Sequence, residues 1–288
     1  VEIHPDFDRR LPVVDPDDRE LFVSLGCAAE NLCLAAQNIG YESSVAVGDT
    51  GVIAVALTEG VDVKSSPLFE QIDLRQTNRS IYTGEEIALD VLKKLQSIRS
   101  EKGISVHYYV RQTKQFNDIE QYVLQGNTRQ MQNEAFKAEL KSWMRFNKKH
   151  QDQTLDGLSY AVFGAPNVPR WMAEPIMSMA INAKTQNKAD REKIASASHL
   201  VLFTTRENSR REWVNLGRTL QRFLLTATEL GIAHAYLNQP NEEAEIASEM
   251  TRTLGLAGEY PTILLRIGYG KQQAYSKRRP IGDVIAAD

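Results

Sequence analysis

Residues 213–239, WVNLGRTLQRFLLTATELGIAHAYLNQ, read as a long helix, a glycine stop and a strand. The chain contains the same reading once more. Moved back by 191 positions, this segment lays Gly217 on Gly26, Val214 on Val23, Leu216 on Leu25, Leu225 on Leu34, Ala227 on Ala36 and Gly231 on Gly40. A helix–Gly–strand unit that occurs twice points to a paired core, with the two helices packed on each other. The earlier helix, expected over 16–38, carries Leu21, Phe22, Val23, Leu25, Leu32 and Leu34 on nearly every side, the pattern of a buried helix. Gly26, Ala28, Ala29, Ala35 and Ala36 would let a second backbone come close. Asp15 is the expected N-cap, with Pro16 in the first helical position, and Gly40 the expected stop.

The remaining elements follow from period and punctuation. Val1–His4 alternates as a strand end. Strands are expected over 43–47 and 52–57 around the Gly48–Gly51 turn, and over 104–110, 199–204 and 261–267. Helices are expected near 67–73, 85–98, 188–195 and 241–254, with one long polar helix over 118–147. A charged loop over 147–156 is the best place for a boundary or an excursion, although the repeat on either side argues against separate domains, and a proline-punctuated loop over 157–175 follows it. In the second loop Phe163, Trp171 and Met172 would either pack beneath it or form a lid over a flat ligand.

Composition excludes more than it selects. The chain of 288 residues is 42% hydrophobic and 25% charged, with net charge −3. That balance gives no reason to expect nucleic acid as a partner. Its most apolar run, 21–39, contains Glu30 and Asn31, so no membrane span is expected. Cys27 and Cys33, six apart on one helix, would point in different directions and stay unpaired, as suits a reducing, cytoplasmic setting. A leader that preceded Val1 would not be visible. None of the five histidines (His4, His107, His150, His199, His234) has a partner at metal-ligand spacing, and no metal is expected. Neither a P-loop nor GxSxG nor GxGxxG occurs, and no acid/base pair can be chosen from scattered carboxylates. Two basic clusters remain. Arg75 and Arg79 precede a helix, and Lys277, Arg278 and Arg279 lie in the tail. Together they could clamp one phosphate through forked guanidinium donors; alternatively, both are solvated charge.

Arg75-Gln-Thr-Asn-Arg79, Leu216-Gly217 in its long helix, Leu230-Gly231 before a strand, and the run from Arg266-Ile-Gly-Tyr-Gly270 to Lys277-Arg-Arg-Pro280 together resemble the nitroreductase family of flavoproteins. Arg9-Arg10-Leu-Pro-Val-Val-Asp-Pro-Asp-Asp-Arg-Glu20 and Leu237-Asn-Gln-Pro240 are similar to its actinobacterial dormancy-associated, Acg-like branch. The resemblance implies an α+β fold in which helices wrap an antiparallel-rich sheet, with long helices at a two-fold interface where FMN lies. In a fused chain both halves (about 1–70 and 71–288) form one domain with an internal pseudo-two-fold repeat, as a monomer with an internal pseudo-dimer or as a homodimer. Residue by residue, it implies that Arg75, Arg79, Arg278 and Arg279 meet the FMN phosphate, and that the backbone of Leu237, Asn238 and Gln239 runs near the flavin ring. It implies electron transfer from NAD(P)H through the flavin to a flat acceptor such as a nitroaromatic or a quinone, with no catalytic side chain assigned. Flavin storage without turnover and a cofactor-free scaffold are the alternatives. The family's Pro-Ser-x-x-Asn-x-Gln-Pro-Trp motif has no counterpart: Ile98-Arg-Ser-Glu-Lys-Gly103 stands in its place in the second half, and the first-half copy would precede Val1.

Overall fold

The computed structural model describes the backbone of residues 1–60, 62–163 and 166–285, and their side chains except those of 162, 163, 176, 177, 179 and 180. In chain order the elements are β1 (Glu2–Ile3), α1 (Arg19–Asn38), β2 (Tyr41–Val47), β3 (Ile53–Glu59), α2 (Leu89–Gln96), β4 (Ile104–Val110), α3 (Lys114–Gln132), α4 (Glu134–Trp143), β5 (Met144–Arg145), α5 (Lys148–Thr154), β6 (Leu158–Ser159), α6 (Arg170–Ala180), α7 (Ala183–Ala195), β7 (His199–Thr205), α8 (Arg210–Glu229), β8 (Ala233–Tyr236), α9 (Gln239–Glu242), α10 (Ala244–Thr253) and β9 (Tyr260–Gly268). Short 3-10 turns lie at 7–9, 67–71, 160–163 and 281–283.

A four-stranded antiparallel sheet in the order β4-β7-β9-β8 forms the centre. Every residue of β7 is buried, as befits a strand covered on both faces. Val201, Phe203, Ile263, Leu265 and Ile267 face α8 and the first half of the chain. Leu200, Leu202 and Leu264 face the other way, onto Phe116, Ile119 and Val123 of α3, Ile194 of α7, and Ile246 and Met250 of α10. A second antiparallel sheet, β1-β3-β2, packs beside α1. The fold is therefore the mixed, antiparallel-rich class expected from the sequence.

Two helices of equal length make the core. α1 and α8 each run 20 residues, and the offset of 191 carries one onto the other from end to end. They cross at Gly26 and Gly217. A Cβ on Gly26 would sit 3.0 Å from the Gly217 Cα and would land on the Val214 carbonyl oxygen; one on Gly217 would land on the carbonyl oxygen of Val23. Glycine is required on both sides because the backbones touch there. Each helix ends in a glycine with positive φ, +89° at Gly40 and +70° at Gly231, which turns the chain into a strand. Ser209 caps α8 by accepting the N–H of Glu212, the reading frame of a capping box.

Three expectations change. α1 begins at Arg19 rather than 16, and Asp15 caps it from outside by accepting the N–H groups of Glu20 and Leu21. The long helix of 118–147 is two helices, broken where the Asn133 side chain takes the N–H groups of Ala135 and Phe136 and so starts α4. The loops of 147–175 are more ordered than their charge and prolines imply: Asn147 caps α5, and Pro169 opens α6, which carries Pro175 inside it. Among the described residues no helix is long and apolar enough to cross a membrane.

Candidate functional site

A cavity of about 1010 Å³ opens on one flank of the α1–α8 crossing. Its floor is Val23, Ser24 and Cys27 of α1 with Leu220, Gln221 and Leu224 of α8. Arg75 and Arg79 enter from the segment before α2, Asn127 and Gln130 from α3, Tyr236 from β8, and Gln239 and Glu242 from α9. α4 supplies Phe136, Leu140 and Trp143, and the N-terminal segment supplies Leu11 and Val14.

The two arginines are held from behind. The Asn78 N–H donates to the His234 carbonyl at 2.8 Å, and the Asn78 carbonyl accepts from the Arg266 guanidinium at 3.2 Å. Arg266 is buried over the Tyr82 ring at 4.0 Å and also donates to the Ser80 carbonyl at 2.8 Å. The segment is thus fixed to β8 and β9 while Arg75 and Arg79 stay half-buried. Among the described residues neither guanidinium has an ion-pair or hydrogen-bond partner, and the Arg75 Nε is buried with none. Burial works against the charge of Arg79 and lowers its pKa. Beneath them, burial and then the Arg75 charge hold His234 neutral, with its pKa depressed to about 3 and both ring nitrogens unpartnered. Two partly desolvated cations without counterions are a receptor for an anion.

A polar wall stands beside them. Asp190 of α7, buried, accepts from Asn127 at 2.9 Å, Gln186 at 2.9 Å and Gln239 at 3.4 Å, fixing three cavity-lining amides through one carboxylate. The Gln239 Oε1 is left without a partner, an acceptor available to a ligand. Gln239 can approach α3 because residue 126 is glycine: a Cβ there would lie 2.7 Å from the Gln239 carbonyl carbon. Asn238 donates to Glu20 at 2.9 Å and accepts the Leu264 N–H at 2.9 Å. Glu20 and Glu242 face each other across this wall, with Gln130 donating to Glu242. Burial holds both above the usual carboxylate range, helped at Glu20 by the Asp15 charge and at Glu242, which lies well above it, by the Glu20 charge, so the pair retains a proton that isolated carboxylates would lose. The Cys27 thiol donates to the Gly217 carbonyl at 3.2 Å, and burial pushes its pKa up to about 12. Tyr236 projects into the cavity between Cys27, Arg75 and Arg79, and its phenol is likewise shifted upward by burial.

Of the residues expected to bind cofactor, the fold brings Arg75, Arg79, Asn238 and Gln239 together in this cavity. Leu237 is buried behind it, and its N–H is used by the Leu264 carbonyl, so that N–H is not free for a ligand. Arg278 and Arg279 lie in the tail, exposed and half-buried respectively, and do not line the cavity. The tail does pass the arginine segment, through a two-way pairing of Gln76 with Gln273, but Lys277 turns away toward Asp152. Trp171 and Met172 are exposed and do not cover the cavity, so they form no lid; the Phe163 side chain falls outside the described residues. The carboxyl pair, Tyr236, and the amides held by Asp190 carry no local sequence signature: they converge from α1, β8, α9, α3 and α7. The nearest signal is Gln239-Pro240, which starts a helix directly after a strand.

Residues 72–269, more than half of the chain, match the profile of the Nitroreductase family. A curated relative, Rv3131 of Mycobacterium tuberculosis (strain ATCC 25618 / H37Rv), carries a provisional NAD(P)H nitroreductase name; it is 24% identical over 297 residues, covering 96% of this chain and 80% of its own. The fold is similar to that of the FMN-dependent nitroreductase NfnB from Mycobacterium smegmatis, solved with NADPH (TM-score 0.50, 13% identity, 76% of this chain and 96% of that one). It is also similar to a point mutant of the FMN- and NADPH-dependent NfnB from a Sphingopyxis strain (TM-score 0.51, 15% identity, 77% and 99%).

Proposed function

Because the chain belongs to the nitroreductase family, we propose that it is an FMN-binding oxidoreductase that passes electrons from NAD(P)H to a flat acceptor such as a nitroaromatic or a quinone. The observation that carries this reading is the pair Arg75 and Arg79: two half-buried guanidinia, without partners among the described residues, in the wall of a cavity large enough for a cofactor and a second molecule. The residues present fit FMN. The arginines suit its phosphate, and the Asp190-held amides, with the free Gln239 Oε1, suit the polar edge of a flat ring. Bound FMN supplies reversible hydride and electron transfer, which explains why no catalytic dyad is needed. This chain's side chains bind, orient and shield. Arg75 and Arg79 anchor charge, Asp190 fixes the amides, and the Glu20–Glu242 pair keeps a proton at the cavity wall. The apolar residues of α4 exclude water on the remaining side.

We further read α1–Gly40–β2 and α8–Gly231–β8 as an internal duplication, in which one chain supplies both helices of a pseudo-two-fold interface. What supports this is the equal length of the helices, their reciprocal Gly26/Gly217 contact and the two glycine stops. The free thiols Cys27 and Cys33 suit a reducing, cytoplasmic compartment. The α4 roof favours a second reading, flavin held without turnover, which steady-state NAD(P)H oxidation with a nitroaromatic separates from the first. The direct test is the visible spectrum of purified protein reconstituted with FMN. Arg75→Ala and Arg79→Ala should each weaken FMN binding by roughly 10- to 150-fold, the loss of a charge-assisted contact of about 1.5–3 kcal/mol. Arg278→Ala should leave it unchanged. A protein that stays colourless with excess FMN overturns the proposal.

A further inference from the structure

The carboxyl pair in the cavity wall holds a proton to which the cofactor reading gives no task. Both Glu20 and Glu242 line the cavity, and their side chains hydrogen-bond to each other. Their other partners are amide N–H groups that can only donate: Asn238 to Glu20 at 2.9 Å, and Gln130 to Glu242. A bond between two carboxyl groups needs a proton on one of them. The Arg19 guanidinium stands 4.0 Å from Glu20, so the charge settles there and the proton on Glu242. This acid stands apart from the arginines. Glu20 precedes Cys27 by seven residues, about 10 Å along α1, and Arg75 and Tyr236 act at Cys27. An anion held by Arg75 and Arg79 therefore leaves the acid uncovered two helical turns away.

Behind the pair lies a second polar site that does not line the cavity. Asp18 Oδ1, Arg19 Nε, Asn241 Oδ1 and Asn241 Nδ2 are buried atoms with no partner among the described residues. They adjoin the pair in the chain, as Asp18-Arg19-Glu20 and Asn241-Glu242. Arg19 ties the two runs together by donating to the Asn241 carbonyl at 2.9 Å. The outer end is Arg10, an exposed side chain 3.8 Å from Asp18. Buried polar atoms clustered in this way suit ordered water, which passes protons.

We propose that Glu242, paired with Glu20, donates a proton to the molecule reduced in this cavity, and that the Asp18–Arg19–Asn241 cluster is the route by which solvent reloads it. The proposal rests on the FMN reductase reading and adds a proton to its electrons. The sum balances: a reduced nicotinamide gives up a hydride, Glu242 gives up a proton, and the acceptor gains two electrons and two protons in all. Donation breaks the Glu242 O–H bond and forms a new one on the acceptor. It leaves two carboxylates together in a desolvated wall, with Arg19 and Asp15 as the other charged groups that act on them. Their repulsion draws a proton back from water and restores the pair.

The test separates the two halves of turnover in FMN-loaded protein by stopped flow: NAD(P)H bleaches the flavin absorbance and 1,4-benzoquinone restores it. Glu242→Gln keeps the shape of the side chain but carries no acidic proton. It should slow the second half roughly 100- to 10,000-fold and leave FMN affinity and the first half unchanged. The parent's second half should slow as pH rises through the folded value of Glu242, whereas the variant's should be flat. Asn241→Leu should slow repeated turnover but not a single reoxidation; equal effects on both overturn the reloading route. Infrared spectroscopy reads the proton without turnover: FMN-free parent at pH 7 should show a protonated-carboxyl stretch that Glu242→Gln lacks. Absence of that band, or an unslowed second half in a Glu242→Gln protein that binds FMN and is reduced normally, overturns the donor role and leaves the FMN reading intact. A parent protein that takes up no FMN overturns the cofactor reading, and the donor role with it.

Discussion

The two flanks of the α1–α8 crossing are built on the same positions and end differently. The offset that carries Gly26 to Gly217 carries Glu30 to Gln221 and Asn31 to Arg222. Glu30–Arg222 and Gln221–Asn31 are therefore one cross-helix pair seen twice. On one flank the pair is ionic: Arg222 meets Glu30 at 2.6 Å and Glu101 at 2.8 Å, and Arg218 joins the same two carboxylates at 3.1 and 3.2 Å. On the other it is a neutral amide pair, with Gln221 donating to Asn31 at 2.7 Å, and it borders the cavity. Arg218 is replaced there by its counterpart Cys27, a much shorter side chain. Positions related by the offset thus carry an ionic network on one flank and a neutral amide pair beside the cavity on the other.

The largest expected difference between the flanks comes from breaking each pair. Glu30→Ala leaves Arg222 and Arg218 in a buried site with Glu101 as their only carboxylate, and should destabilise the protein by about 3–5 kcal/mol. Gln221→Ala removes a neutral hydrogen bond and should lose about 1 kcal/mol. Urea denaturation of both variants measures the contrast; equal losses would mean that the ionic flank does not hold the crossing. Next in size is the crossing itself. Gly26→Ala and Gly217→Ala each drive a methyl into a backbone carbonyl, and each should lose about 1–3 kcal/mol. The two losses should agree, because each clash is the reciprocal of the other. A large loss at one position alone would break the pseudo-symmetry.

The flanks should also respond to pH with opposite signs. Burial opposes ionisation of Glu101, but its hydrogen bond to Arg222 and the charges of Arg218, Arg222 and Arg99 prevail and hold it below the usual carboxylate range. A depressed pKa gives stability that is present above the unfolded value of about 4.3 and is lost as pH falls through the folded value. Glu20 and Glu242 are raised, by burial first, so the folded state binds more protons than the unfolded chain. Their contribution is present below about pH 4.3 and is lost as pH rises toward the folded values. In ligand-free protein, Glu242→Gln should therefore be more stable than the parent at pH 7 and indistinguishable from it near pH 4. Glu101→Gln should remove the acid limb only. Urea midpoints from pH 3 to 8 test both, and a Glu242→Gln profile parallel to the parent's would place that carboxylate in water.

What could be read from the sequence follows the same division. The helix–Gly–strand unit, its register and its glycine stops were legible because they depend on short-range period and on residues that allow close backbone approach. Arg75 and Arg79 stood out as a basic pair, but their spacing left a phosphate clamp and solvated charge both open, and only the family resemblance pointed them at a cofactor. The rest of the site was not legible, because it is built from single residues on five elements. Glu242 is one acidic residue among many until α9 brings it against Glu20. Likewise Asp190 is one charge in a polar helix until it collects Asn127, Gln186 and Gln239. Arg278 and Arg279 mislead for the opposite reason. Their charge density draws attention, but the tail is anchored by Gln273 and Tyr275, and neither arginine is among the residues that line the cavity. Trp171 behaves similarly, large in the sequence but exposed in the fold.

The smallest expected effect concerns Cys27, which takes on the cavity flank the place that Arg218 holds on the ionic one. A thiol lining a cavity is accessible in principle, yet this one is half-buried, donates to the Gly217 carbonyl and has a pKa pushed up to about 12 by desolvation. At pH 8 its reactive thiolate is then roughly one part in ten thousand, compared with about a quarter for a free cysteine. Cys33 is buried and shifted in the same direction. Labelling of native protein with a disulfide reagent should therefore be slow at both thiols and accelerate only with urea. Cys27→Ser should scarcely change stability, since a hydroxyl can donate to the same carbonyl. Prompt labelling of one thiol that disappears in Cys27→Ser would show that the cavity flank reaches solvent directly at the crossing, and that the cavity floor is looser than its counterpart under Arg218.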